Sequence, residues 1–449
     1  MPAENSARFN ETAPRYTSYP TAPHFHSGIG PEKVAGWIGS IGRDDELSLY
    51  LHIPFCDRLC WFCACHTKHT LRYEPVQQYL NSLHTEIATV SRLLGGHGRI
   101  KTVHFGGGSP TMLRPEDLIR LDESLRGAFR YGRDTEVNVE IDPNDIDEPR
   151  LDALAAIGLT RASLGIQDFD PRVQKAINRD QSFELTRSVV EGLSRRGVGS
   201  INLDLLYGLP FQTRDSIKAT ADLALTLRPD RIALFGYAHV PWFKKHQQMI
   251  DETALPDGNE RYAQSRLVSD LIVERGYEPI GIDHFARPGD RLAVAARQGR
   301  LHRNFQGYTD DACDTLIALG PSSISKFRQG YAQNATAAGQ YERMVDAGGL
   351  AVVRGVELSD EDRARAWIIE RLMCDFAFSC SEAIGRFGEA AEPAIVEAGY
   401  RAATDPDRFL LRKGDRFVVS DAGRPLVRLV AAQFDQYLAS GNARHSVAV

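Results

Sequence analysis

The chain has 449 residues, 43% hydrophobic and 25% charged, with 53 basic against 59 acidic side chains and a formal charge of −6. These values exclude a fibrous or wholly disordered chain, and the acidic excess gives no footing for nucleic-acid binding. No run approaches the roughly 18–20 apolar residues of a membrane helix, and residues 1–10 lack the apolar core of a secretory signal, so a cytoplasmic protein without a membrane span is expected.

From residue 47 onward, short β-branched runs alternate with longer helical patterns. Strands are predicted at 47–53, 102–105, 136–141, 162–166, 201–206, 231–237 and 279–284. Helices are predicted between them at 77–94, 115–129, 183–195, 214–227 and 259–274. Such repeated βα units build a parallel sheet covered by helices. Six or seven of them over about 240 residues predict an α/β fold, a partial (β/α) barrel, although an open doubly wound sheet has the same periodicity. Residues 299–339, rich in Gly, Asn, Gln and Ser, read as an ordered excursion. From 358 the pattern becomes helix (360–376), helix (381–387), a hairpin turning at Lys413-Gly414-Asp415, and helix (424–438). The predicted organisation is an N-terminal extension (1–44), a barrel (45–290), a connecting ordered segment (291–357) and a C-terminal α+β domain (358–449). No exposed apolar helix or heptad is apparent, which predicts a monomer.

The seven cysteines are unevenly placed: Cys56, Cys60, Cys63 and Cys65 lie within ten residues, while Cys313, Cys374 and Cys380 are scattered. The scattered three read as small hydrophobes. The cluster, His52-Ile-Pro-Phe-Cys56-Asp-Arg-Leu-Cys60-Trp-Phe-Cys63-Ala-Cys65, follows a predicted strand end, on the rim where barrel enzymes keep their chemistry. In a reducing compartment four close thiols point to metal. Structural zinc sites usually draw on two separated pairs, and the ferredoxin run is spaced differently. Three thiolates from one C-x3-C-x2-C loop can instead hold three irons of a four-iron cube and leave the fourth open. Cys65 is compatible with a spare ligand, a hydrogen donor or a packing residue.

This loop resembles the radical S-adenosylmethionine (SAM) superfamily. The resemblance implies a [4Fe-4S] cluster with one open iron that binds SAM, whose reductive cleavage gives a 5′-deoxyadenosyl radical. Further segments narrow it: Pro14-Arg-Tyr-Thr-Ser-Tyr-Pro-Thr21, Gly106-Gly-Gly-Ser-Pro-Thr111, Glu140-Ile-Asp-Pro, Gly165-Ile-Gln-Asp-Phe, Asn178-Arg-Asp-Gln, Asn202-Leu-Asp-Leu-Leu-Tyr-Gly-Leu-Pro, Tyr237-Ala-His-Val-Pro, Asp283-His-Phe-Ala-Arg-Pro and His302-Arg-Asn-Phe-Gln-Gly-Tyr-Thr. In this order they resemble the oxygen-independent coproporphyrinogen III oxidase family. That implies oxidative decarboxylation of two propionates of coproporphyrinogen III to vinyls, giving protoporphyrinogen IX in haem biosynthesis. It also implies a reductant such as flavodoxin or ferredoxin, and an external electron acceptor. A haem-binding chaperone of the same fold and an anaerobic haem-degrading radical SAM methyltransferase are the alternatives. The Pro14–Thr21 segment and Cys65 speak against the first, and the match through His302–Thr309 against the second.

The resemblance further implies two SAM molecules. Cys56, Cys60 and Cys63 match the cluster ligands. Tyr50, Phe62, Gly107, Glu140 and Ile324 match positions around the first SAM, and Gly108, Ser109, Gln167, Arg179, Asp204 and Ala238 those around the second. The chemistry fits: glycines let backbone approach a ligand, Glu140 and Asp204 can accept from ribose hydroxyls or an ammonium, and Arg179 can face a carboxylate. A substrate with four propionates calls for cations, nominally Arg15, Arg161, Arg287 and Arg303. Tyr16 and Tyr19 suit either the macrocycle or plain packing. His52, His239, His284 and His302 read as hydrogen-bonding core residues.

Overall fold

A computed structural model describes residues 8–438 and 446–447. A helix at Pro31–Gly39 leads into β1 (Glu46–Ile53), and the cysteine loop follows, bracketed by the short paired segments β2 (Phe55–Cys56) and β3 (Lys68–His69). Then come β4 (Arg99–Gly107), β5 (Tyr131–Ile141), β6 (Arg161–Gln167), β7 (Ser200–Tyr207) and β8 (Arg231–Gly236). Helices such as Glu74–Leu94, Pro115–Ala128, Phe183–Arg195 and Arg214–Thr226 cross between them, as the periodicity predicts. Because each helix carries the chain back to the same end of the sheet, β1 and β4–β8 pair in chain order and all parallel.

Beyond β8 the sheet gains two antiparallel strands, β9 (Glu278–Ile280) and β10 (His284–Ala286). A small hairpin of β11 (His302–Asn304) and β12 (Gly307–Thr309) stands apart. On the other flank, β13 (Thr315–Leu319) pairs parallel to β1, and β14 (Ile324–Phe327), β15 (Gly330–Asn334) and β16 (Val352–Glu357) continue antiparallel. The result is one twelve-stranded sheet whose end strands, β16 and β9, do not pair with each other: a partial barrel left open on one side. Residues 291–357, which composition presents as a connecting segment, thus contribute four strands to this sheet.

Helices cover the outer face of the sheet, so the strands alternate: in β1, Leu47, Leu49, Leu51 and Ile53 are fully buried, while Ser48, Tyr50 and His52 fall on the opposite face. Helix Glu74–Leu94 shows the complementary pattern, turning Val76, Leu80, Leu83, Ile87, Val90 and Leu94 inward at helical spacing. It stops where Gly95 takes the left-handed conformation, φ 58°.

The C-terminal unit opens with helix Asp360–Asp375, held by a reciprocal Ser359/Asp362 cap. β17 (Ala377–Ser379), helices Cys380–Phe387 and Glu392–Thr404, the hairpin of β18 (Leu410–Lys413) and β19 (Arg416–Val419), and helix Val427–Ala432 complete it. The hairpin turns at Gly414 as expected, but β17 and helix Glu392–Thr404 add to the sequence reading, and the final helix is shorter than 424–438. Its core of Ile368, Leu372, Phe378, Phe409, Phe417 and Phe434 also takes in Phe9, Tyr16 and Tyr19 from the N-terminal extension. Tyr16 Oη donates to Asp435 Oδ2 at 3.0 Å, and Tyr19 Oη accepts from the Gln436 amide at 3.3 Å. Both tyrosines are therefore packing residues.

Candidate active site

The C-terminal ends of the parallel strands carry the cysteine loop, the glycine run that ends β4, and the acidic positions of β5 and β7. Residues 57–67 form no helix or strand and are held by side chains from other rim loops. Asn178 Nδ2 donates to Leu59 O (2.8 Å), Gln247 Nε2 to Phe62 O (2.9 Å) and Lys244 Nζ to Cys65 O (2.9 Å). His246 Nε2 lies 2.7 Å from Cys63 O, and the Trp61 amide donates to Ile177 O at 2.9 Å. Trp61 and Phe62 also pack on an apolar patch that includes Val173, Ile177 and Tyr237. The loop is therefore fixed by the rest of the rim, as a preformed ligand site requires.

All four loop cysteines are free, with Cys60 buried, Cys56 and Cys63 half-buried and Cys65 exposed. Burial, reinforced by the neighbouring Cys63 and Cys60, pushes the Cys56 thiol up. Cys60 is also raised by burial, against the pull of Arg179, whose Nη1 lies 3.6 Å from its sulfur. Cys63 is the exception, at about 7: the Cys65 side chain donates to it, and the Cys65 amide at 3.4 Å and Lys244 help to outweigh burial. Sulfurs supplied with N–H donors suit thiolate ligands of an iron–sulfur cluster. Among the described residues no three His, Cys, Asp or Glu side chains converge as a single bound ion demands. A cuboidal cluster asks for something else, one thiolate at each of three corners.

Beside the loop, the glycine run is shaped by its contacts. A Cβ on Gly108 would lie 2.5 Å from Phe55 O and 2.9 Å from Ile53 O, so the run presses backbone to backbone against the start of the cysteine loop. Gly107, at φ +111°, donates its N–H to Glu140 Oε2 (3.0 Å), and His104 Nε2 approaches Oε1 at 3.2 Å. Burial pushes the Glu140 carboxyl up, but His104, the Gly107 amide and His52 more than offset it and leave it below its ordinary range. Tyr50 stacks on His104, ring centroids 5.8 Å apart, and meets His52 Nδ1 at 3.1 Å. Tyr50, Gly107, Glu140 and Ile324 line one cavity of about 280 Å³ together with Cys65.

The other predicted positions surround the same rim. Gln167 ends β6 with a positive φ of 67°. The Ser109 hydroxyl is engaged, donating to Asp145 Oδ2 at 2.5 Å. Asp204 accepts from Asn202 Nδ2 (2.7 Å) and Ser163 (3.2 Å), yet burial and the nearby Glu140 push it up to about 6. Arg179 grips Asp142 with two hydrogen bonds (2.9 and 3.1 Å) and donates to Gly165 O (2.7 Å) as well as reaching Cys60. Its guanidinium is thus an anchor between two strand ends and the cysteine loop. Ala238 lines a second cavity, of about 330 Å³, with Arg15 and Arg303.

Arg161 and Arg287 lie elsewhere. Arg161 begins β6, at the end of the sheet opposite the cysteine loop, with Glu136 at 3.5 Å and Asp310 at 3.8 Å. Arg287 donates to the carbonyls of Pro229 and Arg228 and ties a turn. The sequence reading did not single out His104 or Asp142, although Asp142 stands in the quoted Glu140-Ile-Asp-Pro segment. It also missed Lys244 and His246, which carry no motif of their own.

A family model described as the radical SAM superfamily matches residues 50–224. The oxygen-independent coproporphyrinogen III oxidase of Cereibacter sphaeroides is 46% identical, over 98% of this chain and 97% of that protein. That of Paracoccus denitrificans is also 46% identical, over 99% and 98%. The chain belongs to the oxygen-independent coproporphyrinogen III oxidase family. A solved member, coproporphyrinogen III oxidase from Escherichia coli, described as a radical SAM enzyme, superposes with a TM-score of 0.90 at 36% identity, covering 94% of this chain and 98% of its own. No helix among the described residues is long and apolar enough to cross a membrane.

Proposed function

We propose that this chain decarboxylates two propionates of coproporphyrinogen III to vinyl groups without oxygen, forming protoporphyrinogen IX in haem biosynthesis. The observation that carries the reading is the three-cysteine loop locked against the Gly107/Glu140 cradle on the rim of a partial barrel. A [4Fe-4S] cluster held by Cys56, Cys60 and Cys63, with SAM, would supply the radical chemistry needed to remove hydrogen from the substrate carbon next to a pyrrole ring. The substrate then loses carbon dioxide and one electron, so an external acceptor is required. Flavodoxin or ferredoxin is the class of protein that would reduce the cluster.

In this reading Cys56, Cys60 and Cys63 hold three irons and leave one open. Tyr50, Phe62, Gly107, Glu140 and Ile324 surround the first SAM, and the shared cavity of four of them supports the grouping. Glu140, favoured as a carboxylate, is an acceptor for an ammonium or a ribose hydroxyl. Gly108, Ser109, Gln167, Asp204 and Ala238 serve a second SAM, with Arg179 positioning the cysteine loop rather than offering a free guanidinium. Arg15 and Arg303 face the substrate's carboxylates. All of these residues belong to one chain, and a monomer is the proposed working unit.

The test is an anaerobic assay of reconstituted protein with coproporphyrinogen III, SAM, a strong reductant and an electron acceptor. Vinyl product and 5′-deoxyadenosine that both vanish in Cys60→Ala are the expected result. Deoxyadenosine without a vinyl product would overturn the substrate assignment.

A further inference from the structure

Helix Glu74–Leu94 turns one carboxylate into the core. Glu86 lies three residues after Leu83 and four before Val90, on the apolar stripe itself, and is 2% exposed. Among the described residues it has no ion-pair partner, and three neutral donors take that place. Oε2 accepts from the Gly320 amide and from Tyr341 Oη, both at 2.7 Å, and Oε1 accepts from Asn334 Nδ2 at 2.8 Å. Burial pushes the carboxyl up, and the three donors only partly oppose this. A carboxylate buried without a cation is costly, whereas a fully satisfied polar network makes one local structure rigid.

The structure made rigid here is the turn between β13 and β14. Gly320 opens it at φ +96°, where a Cβ would lie 2.6 Å from His52 O and 2.8 Å from Tyr79 Oη. Ser322 is left-handed as well, φ 63°, a conformation that a residue with a Cβ keeps only where its surroundings impose it. Those surroundings are the same network. Asn334 Nδ2 and Ser323 Oγ donate to Gly320 O at 3.0 and 2.7 Å. The Ser322 amide donates to Ala335 O (2.9 Å), and Ser322 O accepts from Gln333 Nε2 (3.0 Å). Tyr341 arrives from a further helix, Ala338–Asp346, so three elements converge on one carboxylate. The other side of the turn faces the site: Ser322, Ser323 and Ile324 line the cavity of about 280 Å³ with Tyr50, Gly107 and Glu140.

We propose that Glu86 is a positioning residue for the first SAM, setting the Ser322–Ile324 wall of that cavity through the Gly320 amide. The assignment rests on the cofactor reading given above. Glu86 lines neither that cavity nor the one beside Arg303, so its influence passes through the turn. The residue type follows from the partners. Three donors need acceptors on both side-chain oxygens, which a carboxylate has and an amide of the same length lacks.

The test pairs hydrogen exchange on the iron-free protein with equilibrium dialysis of labelled SAM against the reconstituted protein. Glu86→Gln keeps the shape but sets a donor against another donor. Exchange over residues 316–327 should become about tenfold faster, as an unmet buried donor implies, with residues 201–207 of β7 unchanged. SAM should bind about fivefold more weakly, while iron per chain and cluster absorbance stay as in wild type. Adding Asn334→Asp reverses donor and acceptor across that contact and should recover part of both losses. If Glu86→Gln does not fold, Tyr341→Phe decides, by a smaller shift in the same two readouts, because it removes one donor and leaves the carboxylate two. Unchanged exchange over 316–327, acceleration spread evenly along the chain, or faster exchange with unaltered SAM affinity would overturn the positioning role alone. Wild-type protein with a full cluster that binds no SAM would overturn the cofactor reading, and this role with it.

Discussion

Arg179, which the family resemblance would set beside a second SAM, grips Asp142 through two hydrogen bonds and also reaches Gly165 O and Cys60. Its side chain is 8% exposed and that of Asp142 17%. Removing one member of so buried a pair leaves the other charge uncompensated, typically a loss of about 3–5 kcal/mol. Arg179→Met should therefore destabilise the iron-free protein by about that amount in urea titrations under reducing conditions, whether or not SAM is present. Adding Asp142→Asn should restore at least about half of the loss, because the stranded carboxylate is then gone and Asn still accepts from the Asn144 amide. Iron incorporation should fall in the single variant as well, since Cys60 loses its N–H donor. A single variant within about 0.5 kcal/mol of wild type, or a double variant no more stable than the single, would refute the anchoring role.

Gly108→Ala should leave circular dichroism unchanged but sharply lower iron per chain, measured colorimetrically, because the new Cβ meets Phe55 O and Ile53 O at 2.5 and 2.9 Å. Asp204, pushed up by burial from 3.8 to about 6, binds its proton more tightly folded than unfolded. Its contribution is therefore complete below pH 4 and lost as pH rises through 6. Asp204→Asn should remove up to about 2 kcal/mol of the stability difference between pH 4.5 and 7.5, read from denaturation at both pH values. Tyr16→Phe strips a hydrogen bond from the buried Asp435 and should cost about 1–2 kcal/mol, seen as a lower unfolding temperature.

The βα units were legible because each strand alternates apolar and polar residues and each helix buries one face, so periodicity carries the information. The cysteine loop and the acidic rim positions were legible as spacing and residue type. β15 escaped because its buried face includes Gln333 and Asn334, satisfied by partners rather than by apolar packing. Helix Glu392–Thr404 escaped because Val396 and Tyr400 are 72% and 64% exposed, which blurs its apolar stripe. The lining of the second cavity brings together Arg15 from the N-terminal extension, Ala238 after β8 and Arg303 from β11, contacts distant in sequence that no local pattern encodes.

The tyrosines of the N-terminal extension have a bearing on biosynthesis. Tyr16 and its partner Asp435 are 419 residues apart. At about 5–20 residues per second, the first segment to leave the ribosome waits roughly 20–80 s for the core that receives it. The rim and its cysteines, made in between, can fold and accept iron during that interval, before the two ends of the chain meet over the open side. The Tyr16–Asp435 contact cannot form before residue 435 has been made.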